Sequence, residues 1–101
     1  MAKRDSRHKQ PQSGPEKAFG QTLREFRKKT GLSQEQLALD ADFDRTYISL
    51  LERGVQSPTL RTVVRLAEIL EVPAWEMIKR MEAIAVQARH PGSRTSPKSG
   101  L

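Results

Sequence analysis

The stretch from Ser33 to Gly54, SQEQLALDADFDRTYISLLERG, leaves a chain few ways to fold. Ser33 is a good helix N-cap, and Gln36 stands at the third helical position, where a capping box needs it. Leu32 and Leu37 fall at the two staple positions across that cap. Leu37, Ala38 and Ala41 then give a short helix an apolar face. Asp42-Phe43-Asp44 interrupts the pattern without a glycine. Asp44 is placed to cap a second helix from Arg45 to Glu52 or Arg53, which Gly54 stops. Ile48 and Leu51 turn inward with Tyr47 at the edge, and Arg45, Thr46 and Ser49 lie on the opposite face. The stretch therefore predicts two short helices about a tight turn, the second displaying polar side chains.

The flanking sequence supplies what those two helices need for a core. Phe19, Leu23 and Phe26 recur at helical spacing, predicting a first helix from Glu16 or Lys17 to Lys29 that ends at Gly31. Gly20 inside it costs roughly 1 kcal/mol against alanine. A fourth helix starts near Ser57–Leu60, capped by Ser57 or Thr59. If Ser57 is the cap, Pro58 occupies the first helical position, which tolerates it. Leu60, Val63, Ala67 and Leu70 form its inner face, joined by Val64 and Leu66, and Val72-Pro73 stops it. A fifth helix runs from Ala74 to about Ala88. Its apolar set of Trp75, Met77, Ile78, Met81, Ile84, Ala85 and Ala88 is wider than one packed stripe requires. That width fits a helix wholly committed to the core, or one with a core side and a subunit side. On the second reading Trp75, Ile78, Met81 and Ile84 are the dimer-interface residues, with Trp75 and Met81 foremost, because aromatic and methionine side chains are enriched at interfaces. The expected architecture is all-α: a five-helix domain over residues 17–89, a basic arm over 1–16 and a tail over 90–101. The compositions of arm and tail predict no ordered structure.

Charge is distributed unevenly. The 101 residues carry 18 Lys and Arg against 12 Asp and Glu, a net +6. Residues 18–88 hold ten of each sign, so the whole excess lies toward the ends. An anionic partner on the folded body must then be met by a local patch. The N-terminal arm is either a solubilising segment or a basic arm that follows DNA phosphates or enters a minor groove. With no cysteine, disulfides and thiolate zinc sites are excluded. No apolar run approaches the roughly 20 residues of a spanning helix, and no secretory leader is visible. His8 and His90 have no partners at catalytic or metal-ligand spacing. Asp40, Asp42 and Asp44 alternate, but the continuation lacks the glycine and final glutamate of a calcium loop. Neither a cofactor, a metal nor catalysis is expected.

Four runs together carry a resemblance: SQEQLA at Ser33–Ala38, YIS at Tyr47–Ser49, LERG at Leu51–Gly54, and PTL followed by LAEILEV, ending at Val72. They resemble the Cro/C1-type (XRE) helix-turn-helix family over roughly residues 18–80. ADFDRTYISLLERG is also similar to the equivalent segment of restriction–modification controller proteins. The resemblance implies a lambda-repressor-like five-helix domain and a transcriptional regulator that binds palindromic double-stranded DNA as a homodimer in the cytoplasm, at the nucleoid. It makes Arg45, Thr46 and Ser49 base-reading residues, with Leu50 beside them as an exposed leucine or a contact to a thymine methyl. Gln34 would touch a phosphate and brace the recognition helix. Arg27 and Glu52 match a pair that bridges helices one and three in some relatives. Chemistry agrees: arginine suits guanine O6 and N7, threonine either hydrogen-bonds or meets a thymine methyl, and helix N-termini hold phosphate. Tyr47, Arg53, Gln56 and Arg61 complete the candidate phosphate contacts, although Tyr47 suits a structural role equally. Asp42 stands where the family usually has glycine in the turn. The same fold also serves antitoxins and protein-bridging modules, so a toxin or other protein partner is the alternative.

Overall fold

The computed structural model describes residues 14–89, and the expectations for residues 1–13 and 90–101 lie outside them. Within that span the chain forms five helices: α1 (Pro15–Thr30), α2 (Gln34–Ala41), α3 (Arg45–Glu52), α4 (Leu60–Leu70) and α5 (Ala74–Arg89). The central helix is α1, which packs against α3, α5 and α4, while α2 bridges α3 and α4. Phe19, Leu23, Leu37, Ile48, Leu51, Leu66, Leu70 and Met77 are fully buried, so every helix contributes to one core.

Four of the five helices end in the same way. A residue in the left-handed region closes each helix: Gly31, Asp42, Gly54 and Glu71 have φ of 81°, 63°, 76° and 62°. Its N–H and that of the next residue turn back onto the last carbonyls, as in Phe43 to Ala38 at 2.8 Å and Val72 to Ala67 at 3.0 Å. This is the Schellman arrangement, and it places an apolar residue just beyond each end. Leu32, Phe43 and Val72 accordingly pack against the core. Asp42 and Glu71 reach this conformation without glycine's freedom, and aspartate tolerates it better than glutamate does.

Several local expectations change. Thr59, not Ser57, caps α4, its Oγ1 accepting from the Thr62 N–H at 3.0 Å, so Pro58 precedes the cap. Leu60 and Val64 are 82% and 49% exposed rather than inward. The inner stripe of α4 is Thr62, Val63, Leu66, Ala67 and Leu70. Gly20 has a tertiary role. A Cβ there would stand 2.5 Å from the Leu51 carbonyl oxygen and overlap that of Glu52. Glycine lets the backbones of α1 and α3 meet. Gly54, against the Lys17 backbone, extends the same close approach. Helix α3 is thus seated directly on the main chain of α1.

Candidate nucleic-acid interface

Ser33 begins the site as expected, its Oγ accepting from the Gln36 N–H at 3.0 Å. The reciprocal half of the capping box is not made, because the Gln36 side chain donates to Asp40 instead, at 2.9 Å. Between α2 and α3, Asp42 supplies the left-handed residue. Phe43 packs edge-on to Tyr47 with ring centroids 5.3 Å apart. Asp44 stands at the N-cap of α3, but its side chain makes no capping hydrogen bond. The carbonyl of Ala41, at the end of α2, accepts from Arg65 Nε on α4 at 3.2 Å. The turn is thereby tied to a second element, a contact between residues far apart in sequence.

The orientation of α3 is fixed by Glu52. Its carboxylate accepts from Arg27 Nε at 2.6 Å, from Arg27 Nη2 at 3.0 Å and from Gln34 Nε2 at 2.9 Å. Arg27 Nη1 also donates to the Leu32 carbonyl at 2.9 Å. Side-chain exposures of 10% and 4% for Arg27 and Glu52 place this fork inside the protein. The hydrogen bonds it donates to Glu52 hold Arg27 above its ordinary pKa against the opposing effect of burial. Helices α1, α2 and α3 therefore meet at one carboxylate. The Arg27–Glu52 pair and the bracing by Gln34 are both present.

On a helical wheel of 100° per residue, Arg45, Thr46, Ser49 and Arg53 share one face of α3, opposite the buried Ile48 and Leu51. Arg45, Thr46 and Arg53 are exposed, while Ser49 and Leu50 are partly so, Leu50 lying at the edge. Glu52, the one acid on α3, is neutralised by Arg27, leaving the outer face with Arg45 and Arg53 as its charges. Gln56 and Arg61 are exposed on the α3–α4 connection and the first turn of α4. Tyr47 is half-buried, with its hydroxyl hydrogen-bonded to Thr62 Oγ1 at 3.2 Å. Thr62 is buried and also receives the Thr59 hydroxyl at 3.1 Å. Tyr47 therefore has a structural duty between α3 and α4. Among the described residues no buried side-chain nitrogen or oxygen lacks a partner.

The four expected interface residues of α5 do not lie together. Ile78 and Met81 pack against the core while partly exposed. Trp75 is 64% exposed. Ile84 is partly exposed and sits nine residues further on, half a rotation away from Trp75. Among the described residues no helix is long and apolar enough to cross a membrane.

A short helix locked behind a turn, with its outer face polar and basic, is the arrangement of a DNA-reading helix-turn-helix. Residues 23–74, just over half of the chain, match the family model described as Helix-turn-helix. The chain belongs to this family in its Cro/C1-type form and is a DNA-binding transcriptional regulator. Among curated relatives it is similar to the control protein C.BamHI of Bacillus amyloliquefaciens. The two are 38% identical over 61 residues, covering 59% of this chain and 75% of the relative. Among solved structures it resembles the restriction-modification controller protein C.AhdI from Aeromonas hydrophila, with 42% identity and a TM-score of 0.58 over 59% of this chain and 91% of that one. It also resembles the biofilm master regulator SinR, solved in complex with DNA, with 28% identity and a TM-score of 0.57 over 59% of this chain and 97% of that one.

Proposed function

We propose that this chain is a restriction–modification controller-like regulator, acting in the cytoplasm at the nucleoid, that reads a palindromic operator as a homodimer. The observation that carries the reading role is the α3 face of Arg45, Thr46 and Ser49, held in place by the buried Arg27–Glu52–Gln34 junction. The control proteins among its relatives support the biological setting. Arg45 forks onto a guanine edge, Thr46 and Ser49 allow close approach and short hydrogen bonds, and Leu50 meets a thymine methyl at the groove edge. Gln34, Arg53, Gln56 and Arg61 set the register on the phosphates, while Tyr47 is spent on its structural hydrogen bond to Thr62. Gln34 can do so while braced, because an amide nitrogen carries two N–H donors.

The test is a gel shift with Arg45→Ala on the selected operator and on random duplex. Loss of a bidentate base contact, worth about 1–3 kcal/mol, is a five- to 150-fold loss on the operator with little change on random DNA. Equal loss on both would make Arg45 a phosphate contact only.

A further inference from the structure

Each end of α2 is held by an arginine from a neighbouring helix. At its start Arg27 of α1 donates to the Leu32 carbonyl, and at its end Arg65 of α4 donates through Nε to the Ala41 carbonyl at 3.2 Å. The first arginine belongs to the Glu52 junction, whereas the second has no part in reading DNA so far. The carbonyls at a helix end have no partner within the helix. Here the Asp42 N–H reaches the carbonyl of Leu39 and the Phe43 N–H that of Ala38, but among the described residues no turn or cap N–H reaches that of Ala41. Ala41 is 1% exposed, so its carbonyl is shielded from water and needs a donor. The last turn of α2 contains no basic residue, and the guanidinium from α4 also supplies the positive charge that a helix C-terminus favours. Arg65 is itself anchored, because the next two residues, Leu66 and Ala67, lie in the core. Its Nη1 stands 4.0 Å from Glu68, a loose pair between exposed side chains that adds little.

We propose that Arg65 is a positioning residue for DNA reading: through the Ala41 carbonyl it fixes the direction in which the chain enters α3, and so the place of Arg45. The inference rests on the base-reading role given to Arg45 above and adds a residue that acts through it. The Ala41 carbonyl belongs to the planar peptide unit that enters Asp42. Asp42 holds the left-handed conformation, with φ of 63°, without the freedom of glycine. Rotation of that peptide unit swings everything after it, and only Asp42, Phe43 and Asp44 separate α2 from Arg45. Asp44 makes no side-chain cap that would hold the first turn of α3 from within. Tyr47 joins that turn to α4 through Thr62, so the distinct contribution of Arg65 is the orientation of the turn rather than the attachment of the helix. The Glu52 junction fixes the opposite end of α3, since Glu52 is its last residue. Helix α3 is therefore set at its end by Glu52 and at its start by Arg65, and Arg45 stands at the start. Arg61, one turn before Arg65 on α4, is a candidate phosphate contact, whereas Arg65 turns its Nε donor into the protein.

Two replacements of similar length separate the donor from the charge. Glutamine places an uncharged amide N–H where the arginine Nε stands, while methionine places a methyl group there. Gel shifts of the full chain give the affinities of wild type, Arg65→Met and Arg65→Gln for random duplex and for an operator that wild type selects from a random pool. Arg65→Met is expected to lower the preference for operator over random duplex about tenfold, within the range of one bidentate base contact. Arg65→Gln is expected to keep that preference within about threefold of wild type, because it keeps the donor. In an Arg45→Ala background, Arg65→Met should lower the preference by less than about twofold more, since its effect passes through Arg45. Equal losses with methionine and glutamine overturn the proposal, and a salt slope shallower by about one would then make Arg65 a direct phosphate contact. No loss with methionine, or a full further loss in the Arg45→Ala background, overturns it as well. Wild type that prefers no duplex sequence overturns the base-reading role itself, not only the part of Arg65. Circular dichroism melts, expected to lie close to wild type for both variants, separate a misplaced α3 from an unfolded domain.

Discussion

Replacing Glu52 by alanine should be among the most damaging single changes available to this domain. The substitution removes three hydrogen bonds from one carboxylate and leaves the Arg27 guanidinium, in a residue only 8% exposed, with the Leu32 carbonyl as its remaining partner. Breaking a buried pair from one side costs about 3–5 kcal/mol, because the surviving charge stays desolvated without compensation. A domain of this size has ~4–11 kcal/mol of total stability, so the variant would sit near the edge of folding. At about 4–8 °C per kcal/mol, the melting temperature should fall by at least ~12 °C. Urea titrations should show a lower midpoint with an unchanged slope, the signature of lost stability rather than altered compactness. Replacing both partners, as Arg27→Met with Glu52→Leu, should recover most of the loss, since a well-packed apolar pair often matches or exceeds a buried ion pair. The double variant frees Gln34 from α3, so it should fold better than Glu52→Ala yet bind DNA less well than wild type. A loss below about 1 kcal/mol for Glu52→Ala, or a double variant no more stable than the single, would refute the assignment of Glu52 as the junction of three helices.

Three further outcomes follow from particular contacts. Gly20→Ala would gain about 1 kcal/mol in an exposed helix, but here it should destabilise by roughly 1–3 kcal/mol, because the new Cβ strikes the α3 backbone; the sign of the change in a urea titration decides. Asp42→Gly should stabilise by up to about 1 kcal/mol, since φ of 63° suits glycine, and a thermal melt will show whether it does. The hydrogen bond from Arg80 holds the Glu25 carboxyl below its usual pKa, outweighing a small effect of burial. Because the folded-state value is the lower one, this pair's contribution is present above the ordinary carboxylate range and is lost as pH falls through the folded-state pKa. Both side chains are more than two-fifths exposed, so the contribution is screened to less than about 1 kcal/mol. Glu25→Gln should therefore cost a few tenths of a kcal/mol at pH 7 and nothing near pH 2, as read by urea titration at both.

What could be read from the sequence was mostly local. Ser33, Gly31 and Gly54 mark helix ends by chemistry that acts within one turn, and the periodicity of Phe19, Leu23 and Phe26 needs no partner to be seen. The pair of a left-handed residue and an apolar one, repeated as Gly31-Leu32, Asp42-Phe43, Gly54-Val55 and Glu71-Val72, was legible in principle. Two of the four lack glycine, which hid the pattern. What was missed depends on a second element. Gly20 looks like a local cost until α3 lies against it, and Arg65 looks like a surface arginine until α2 ends beside it. Leu60 and Val64 read as inward from the sequence because α4 has more apolar residues than inward positions, and the cap at Thr59 sets which ones turn in. The exposed side of α3 is legible in the sequence, since its polar residues are defined by contrast with Ile48 and Leu51, which are buried. The broad apolar set of α5 was not divisible by periodicity alone. Only the burial of Met77 and the exposure of Trp75 show which side meets the core.

The central claim is that the Arg45, Thr46 and Ser49 face reads DNA sequence, two copies at a time. Selection of bound duplexes from a random pool tests it most directly. The expected result is one enriched site with two-fold symmetry, half-sites about one helical turn apart, and a guanine preference that disappears with Arg45→Ala. A pool that stays random, or an enriched site unchanged by Arg45→Ala, would contradict it.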